Sequence, residues 1–297
     1  MNAAFQEATL PVQLGDDGLR LDAREANALG RLLQPEYAAA QPFPHIVLDQ
    51  FLPPSLAARI LENFPAEPLE SDRHFNINYG GHHKRQISPE DCNRFSREVF
   101  HFLNSYPVIS FLEGLSGIEG LLSDPHFEGG GFHEITTGGK LGIHADFRIH
   151  EKLHLQRRLN LLIYLNESWS ASWGGSLELW DKQMQRCVSA IAPVMNRCVV
   201  FNTDADSYHG HPDPLQTPPH VKRRSIALYY YTASKAIYRE LPNHSTMYHA
   251  RPQDSLAVRR EAAAFRATEH FKDLAPPVLF RLFEKIRWRL SSRENKP

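Results

Sequence analysis

The chain has 297 residues, 42% hydrophobic and 23% charged, which suffices for a substantial globular core. A formal net charge of −1 excludes bulk electrostatic attraction to nucleic acid or an anionic membrane, so no nucleic-acid partner is expected. Three cysteines without a CxxC pair exclude a disulfide scaffold and a structural zinc site, and favour a reducing compartment.

The start, Met1-Asn2-Ala3-Ala4-Phe5-Gln6-Glu7, lacks the basic head and apolar core of a secretory signal, so a cytoplasmic protein is expected. Residues 1–42 read as an arm or short helical extension, with a short helix over 22–33. His45-Ile46-Val47-Leu48-Asp49 reads as a strand, and Ser55 as the cap of a helix carrying Leu56, Ile60 and Phe64. Residues 74–86, with Tyr79-Gly80-Gly81-His82-His83-Lys84-Arg85, read as a surface loop, with a substrate-covering lid as the alternative. Ser88 as N-cap, Pro89 in the first turn and Glu90 and Asp91 at the positive dipole end predict a second helix. Its apolar face is Phe95, Val99, Phe102 and Leu103.

From about residue 127 to 232 strand follows strand: 132–137, 140–147, 158–165, 176–180, 186–191, 197–201, 207–209 and 223–231. Glycine pairs break them at Gly138-Gly139 and Gly174-Gly175. The fold class expected is therefore mainly β with flanking helices (α+β), on a double-stranded β-helix or jelly-roll core. One domain over 43–234 would hold that core, and 235–297 would form a helical C-terminal extension packing on it. There, residues 278–290 carry an apolar stripe (Leu279, Leu282, Phe283, Ile286, Leu290) among basic residues. Such a helix packs on its own domain, touches a membrane surface peripherally or joins a homodimer. No run is long and apolar enough to suggest a transmembrane helix.

His144 and Asp146 are two residues apart, so on a strand both side chains point to one face. A third ligand from a later strand completes a 2-His-1-carboxylate face, which leaves metal positions open, as a non-haem Fe(II) oxygenase requires. A bare His-x-Asp is weak, and His211/Asp213 is a second one, but Pro212 and Pro214 argue against a paired strand there.

Six blocks occur in order: His144-Ala145-Asp146; Arg157 to Asn166; Trp173-Gly174-Gly175-Ser176-Leu177-Glu178-Leu179; Arg197 to Phe201; Tyr208-His209-Gly210; and Arg223-Arg224-Ser225-Ile226-Ala227-Leu228. Together they resemble the prolyl-hydroxylase branch of the Fe(II)/2-oxoglutarate-dependent oxygenases. The resemblance implies that His144, Asp146 and His209 ligate Fe(II), with His211 the competitor for the third place. It makes Arg223 and Ser225 the R-x-S pair that binds the far carboxylate of 2-oxoglutarate, with Tyr164 beside them and Asn160 on the same strand face. A guanidinium suits that carboxylate because two parallel N–H donors match its planar fork. Strand parity puts Ala227, Tyr229 and Tyr231 inward and Arg224 outward.

The reaction so implied is hydroxylation of an unactivated C–H bond, with O₂ consumed, succinate and CO₂ released and ascorbate as a candidate reductant. The substrate class implied is an amino acid, a peptide or a related small molecule. The alternative is a cupin-like metal-dependent isomerase or a non-oxygenase metal-binding jelly roll, which has no need of Arg223.

Overall fold

The computed structural model describes residues 6–15, 18–77, 80–233 and 246–274. The candidate membrane or dimer helix over 278–290 lies outside them, as does Tyr79. No helix among the described residues is long and apolar enough to cross a membrane.

The first strand β1 (Gln6–Glu7) runs parallel to β4 (His45–Asp49), and β2 (Gln13–Gly15) pairs with β3 (Gly18–Arg20). Helix α1 (Ala23–Ala39) is longer than expected. Asp22 caps it by accepting from Arg24 N at 2.8 Å and Glu25 N at 3.0 Å. Its Leu33 and Tyr37 are buried, so this segment is part of the core rather than a loose arm.

Helix α2 (Pro54–Glu62) begins with Pro54 at its first turn, and Ser55 does not cap it. Ser88 likewise opens only a 3-10 turn over Pro89–Asp91, and α3 (Arg94–Leu103) starts later. Asn93 is its real cap, accepting from Ser96 N at 2.9 Å. An unforeseen helix, α4 (Tyr106–Ser116), ends at Gly117, whose φ of +70° closes the last turn. It packs tightly on α1: a Cβ at Gly30 would lie 2.2 Å from Phe111 O, and one at Gly114 2.5 Å from Asn27 O.

The segment expected to be a loop is a hairpin of β5 (Arg73–Ile77) and β6 (Gly81–Ile87). Its strands carry no apolar alternation because β6 has charged neighbours on both faces. After β7 (Leu122–Ser123) comes β8 (Gly131–Ala145), one strand where two were expected. Gly138 (φ +76°) and Gly139 turn its corner, and a Cβ on Gly139 would meet Ile135 Cγ2 at 2.4 Å.

The remaining strands are β9 (Gln156–Tyr164), β10 (Leu177–Trp180), β11 (Cys187–Ile191), β12 (Cys198–Asn202), β13 (His209–His211) and β14 (Arg223–Thr232). The strand predicted at 207–209 thus begins where it was expected to end, and pairs through His211 despite the following prolines. The C-terminal segment opens on a strand, β15 (Met247–Tyr248), before helix α5 (Leu256–Leu274).

Two antiparallel sheets share β8. Its first half joins the order β4-β12-β9-β14-β8-β6-β5, and its second half joins β8-β13-β10-β11, with β15 along the other side. This is the jelly roll. Alternation divides each strand: Leu159, Leu161, Ile163, Ile226 and Leu228 turn outward against α1–α4, in one large core. Tyr164, Leu177, Leu179, Val199 and Phe201 turn inward and line a second, smaller one. At about 25 cal/mol per Å² of apolar surface, covering the outer face is the main force holding helices to sheet.

Candidate metal centre and anion pocket

The side chains left inside the barrel that are not apolar gather at one cavity of about 200 Å³. His144 near the end of β8 stands opposite His209 at the start of β13. Their ring centroids are 4.5 Å apart, and Asp146 follows immediately after β8. One ligand atom from each of the three lies within 4.8 Å of the others, the one such group among the described residues. Asp146 Oδ1 is 3.6 Å from His144 Nε2, and Oδ2 is 3.4 Å from His209 Nε2.

Backbone carbonyls orient both imidazoles. His144 Nδ1 donates to Gly142 O at 2.8 Å, and His209 Nδ1 donates to Ser207 O at 2.9 Å. With the proton held at Nδ1, each Nε2 lone pair faces the gap, the tautomer a metal needs. Burial, with His144 close by, pushes His209 down to about 4, so it is neutral at physiological pH. Burial would raise the Asp146 carboxyl, but Arg157, His209 and His144 hold it well below its ordinary range. Two oriented neutral imidazoles and one ionised carboxylate fit a divalent first-row metal.

Arg157 is the residue that sequence reasoning missed here. Its Nη2 is 3.0 Å from Asp146 Oδ2 and donates to Asn160 Oδ1 at 2.7 Å, while Nε donates to the same oxygen at 3.0 Å. The guanidinium lies 3.5 Å from the Tyr229 ring centroid and 4.6 Å from that of Phe147. By simple alternation from Tyr164 and Asn160, Arg158 would point inward instead. A register shift between Tyr230 and Tyr231 against β9 reverses the parity and turns Arg157 in. Tyr231, the register partner of Arg157, was expected to line the cavity but does not, and its ring lies 5.3 Å from the His150 ring.

Asn160 sits on the metal side. Its Nδ2 donates to Asp146 Oδ2 at 2.7 Å, so it is engaged with this carboxylate rather than with Arg223. Arg223 and Tyr164 meet as expected: Nη2 donates to Tyr164 Oη at 3.3 Å, and Nε donates to Gly175 O at 2.8 Å. Gly175 has φ +72°, and a Cβ there would strike Leu215 Cδ2 at 2.5 Å, which is why the chain can close over Arg223 only with glycine. Ser225 lies beside Tyr164 in register, buried and facing the cavity. Arg223 is 5% exposed and has no carboxylate partner among the described residues. A buried guanidinium in that state fits an anionic ligand.

Arg224 points out, as parity requires, with Nε donating to Glu134 Oε2 at 2.9 Å. Glu134 also receives Lys222 and faces Arg85, a charge ladder on the outside of β6, β8 and β14. Two further cavity residues, Lys84 and Tyr248, come from segments whose place in the barrel the sequence pattern did not reveal.

Residues 130–231 match the family profile described as 2OG-Fe(II) oxygenase superfamily. The matched stretch runs from the start of β8 into β14, the strands that build the cavity. A mouse (Mus musculus) relative named prolyl 3-hydroxylase OGFOD1 is 25% identical to this chain over 197 residues, 65% of the chain and 33% of the relative. The chain thus spans about a third of the length of that relative. Among solved structures, a prolyl hydroxylase of Trichoplax adhaerens in complex with a hypoxia inducible factor peptide fragment is 17% identical, with TM-score 0.49, covering 70% of this chain and 91% of that one. A Pseudomonas putida prolyl-4-hydroxylase is 16% identical with TM-score 0.49, covering 69% and 100%. HygX of Streptomyces hygroscopicus, with nickel and 2-oxoglutarate bound, is 12% identical with TM-score 0.45, covering 72% and 96%.

Proposed function

We propose that this protein is an Fe(II)- and 2-oxoglutarate-dependent dioxygenase that hydroxylates an unactivated C–H bond and releases succinate and CO₂. The observation that carries the reading is the pairing, in one cavity, of a 2-His-1-carboxylate set with a buried arginine that has no carboxylate partner among the described residues. Either feature alone occurs in other jelly rolls. A cupin-like isomerase has a use for the first but none for Arg223.

In this reading His144, Asp146 and His209 hold Fe(II), and Arg223, Tyr164 and Ser225 hold the far carboxylate of 2-oxoglutarate. Bound together, iron and co-substrate supply the O₂ chemistry, one oxygen atom going to succinate and one to the substrate. The chain supplies orientation. Gly142 and Ser207 carbonyls hold the two imidazoles, Arg157 and Asn160 hold Asp146, and Leu141, Leu162 and Leu177 exclude water.

We further place an amino acid, a peptide or a related metabolite as substrate. The name of the mouse relative makes a prolyl residue the first to test. Ascorbate as reductant, a cytoplasmic location and a homodimer belong to the same proposal.

Succinate release from 2-oxoglutarate under Fe(II) and O₂ is the test. Asp146→Ala and His209→Ala should abolish it and the stabilisation by added metal, whereas His211→Ala should keep the latter. Arg223→Met should weaken 2-oxoglutarate binding at least about a hundred-fold, as expected for a charged, desolvated contact. Full turnover in Asp146→Ala would end the reading.

A further inference from the structure

Two polar groups face the cavity without a role in holding the metal or Arg223. His211 is 3% exposed, and neither ring nitrogen has a hydrogen-bond partner among the described residues. Lys84 lines the same cavity, its Nζ 5.2 Å from the Phe75 ring centroid, and forms no hydrogen bond or ion pair with a described residue.

Lys84 is aimed inward by the register of β6. It lies opposite Ile135, which lies opposite Arg223, so the three share one row across three strands. Its neighbour Arg85 takes the outer face and meets Glu134. Lys84 and Arg223 therefore start about 9–10 Å apart, two strand spacings, on the concave side of a curved sheet. His211 enters from the opposite sheet, two residues beyond His209.

Asp146 is matched by Arg157, which leaves Lys84 and Arg223 as two cations without an anionic partner among the described residues. One carboxylate presents two oxygens with about four acceptor sites. Arg223, Tyr164 and Ser225 already offer both guanidinium Nη groups and two hydroxyls to it. Leaving an ammonium and an imidazole unpaired in a low-dielectric cavity is costly, and a bound anion reverses that cost.

We propose that Lys84 and His211 form a second carboxylate contact in this cavity, distinct from the one made by Arg223, Tyr164 and Ser225. The inference rests on the oxygenase reading only in assigning that first contact. Two carboxylates could fill the second: the oxo-acid end of 2-oxoglutarate itself, or an acid group on the substrate.

The experiment uses the full chain loaded with Zn(II), which binds without turnover. The first arm measures 2-oxoglutarate affinity by calorimetry for wild type, Lys84→Met, Lys84→Arg and His211→Phe. The second titrates acetate, against acetamide as the uncharged control, into protein saturated with 2-oxoglutarate. Lys84→Met should lose about ten-fold or more in one arm, the scale of a hydrogen bond to a charged group. Lys84→Arg should restore most of the loss, and His211→Phe should weaken the same arm. A loss in the first arm assigns the contact to the co-substrate; a loss in the second assigns it to a separate acid group. Affinities within about two-fold of wild type in both arms, or a wild type that binds neither ligand, overturn the proposal. Acetate bound through Lys84 with no uptake of 2-oxoglutarate would sink the oxygenase reading and leave the contact standing.

Discussion

Replacing Arg157 by Met keeps much of its volume but strips Asp146 of its counter-charge. The pair is buried on both sides, with side chains 1% and 10% exposed at 3.0 Å, so solvent cannot take over. Removing one member of a buried pair costs about 3–5 kcal/mol. In a domain of this size that lowers the melting temperature by on the order of 10 °C. Loss of the stack on Tyr229 adds to the cost. The pH dependence should change sign. In the wild type the Asp146 carboxyl is depressed, so its stabilisation exists above the ordinary carboxylate pKa and is lost as pH falls through the folded value. In Arg157→Met burial dominates and the folded pKa rises, so the variant gains stability relative to wild type as pH drops toward 5 and Asp146 takes up a proton. Thermal melts in EDTA between pH 5 and 8 would measure both effects, and added Zn(II) should rescue the variant more than the wild type. A melting temperature unchanged across that range would refute the argument.

Lys84→Met should stabilise the metal-free protein by roughly 3 kcal/mol at pH 7, because burial pushes Lys84 down to about 8, Asp146 only partly opposing it. Its folded value lies below the unfolded one, so wild-type stability should rise with pH between about 8 and 10.5 and the variant should lack that rise; urea melts at pH 7 and 10 read it. Gly30→Ala pits a helix-propensity gain of about 1 kcal/mol against an overpacking cost of about 1–3 kcal/mol. Because the new Cβ would sit 2.2 Å from the Phe111 carbonyl oxygen on α4, backbone must move and the net should be a loss. A higher urea midpoint in Gly30→Ala would contradict that.

What could be read from the residues and what could not divide along one physical line. His144, Asp146 and Arg223 were legible because short-range alternation decides where they point: the first two are only two residues apart, and β14 is regular around Arg223. Arg157 was not, because a single extra residue against Tyr230 and Tyr231 inverts the parity, and nothing in the local pattern marks it. The hairpin of β5 and β6 was illegible for another reason. Period-two reasoning looks for an apolar face, and β6 has none: Lys84 faces a polar cavity and Arg85 faces Glu134. Helix starts failed by a few residues where two capping residues competed, Ser88 against Asn93.

Met247 and Tyr248 return from beyond the last barrel strand to lie along β8, backbone to backbone with Ala145 and His144. Arg251 fastens this return by clasping Asp213 at 2.7 Å and Asp254 at 3.0 Å. During synthesis the ribosome delivers His144, Asp146 and His209 well before it delivers that seam. A nascent or truncated chain ending near 232 would hold His144 on an open, unpaired edge, free to stitch onto a neighbour's strand. Guarding that edge falls to residues that touch no metal.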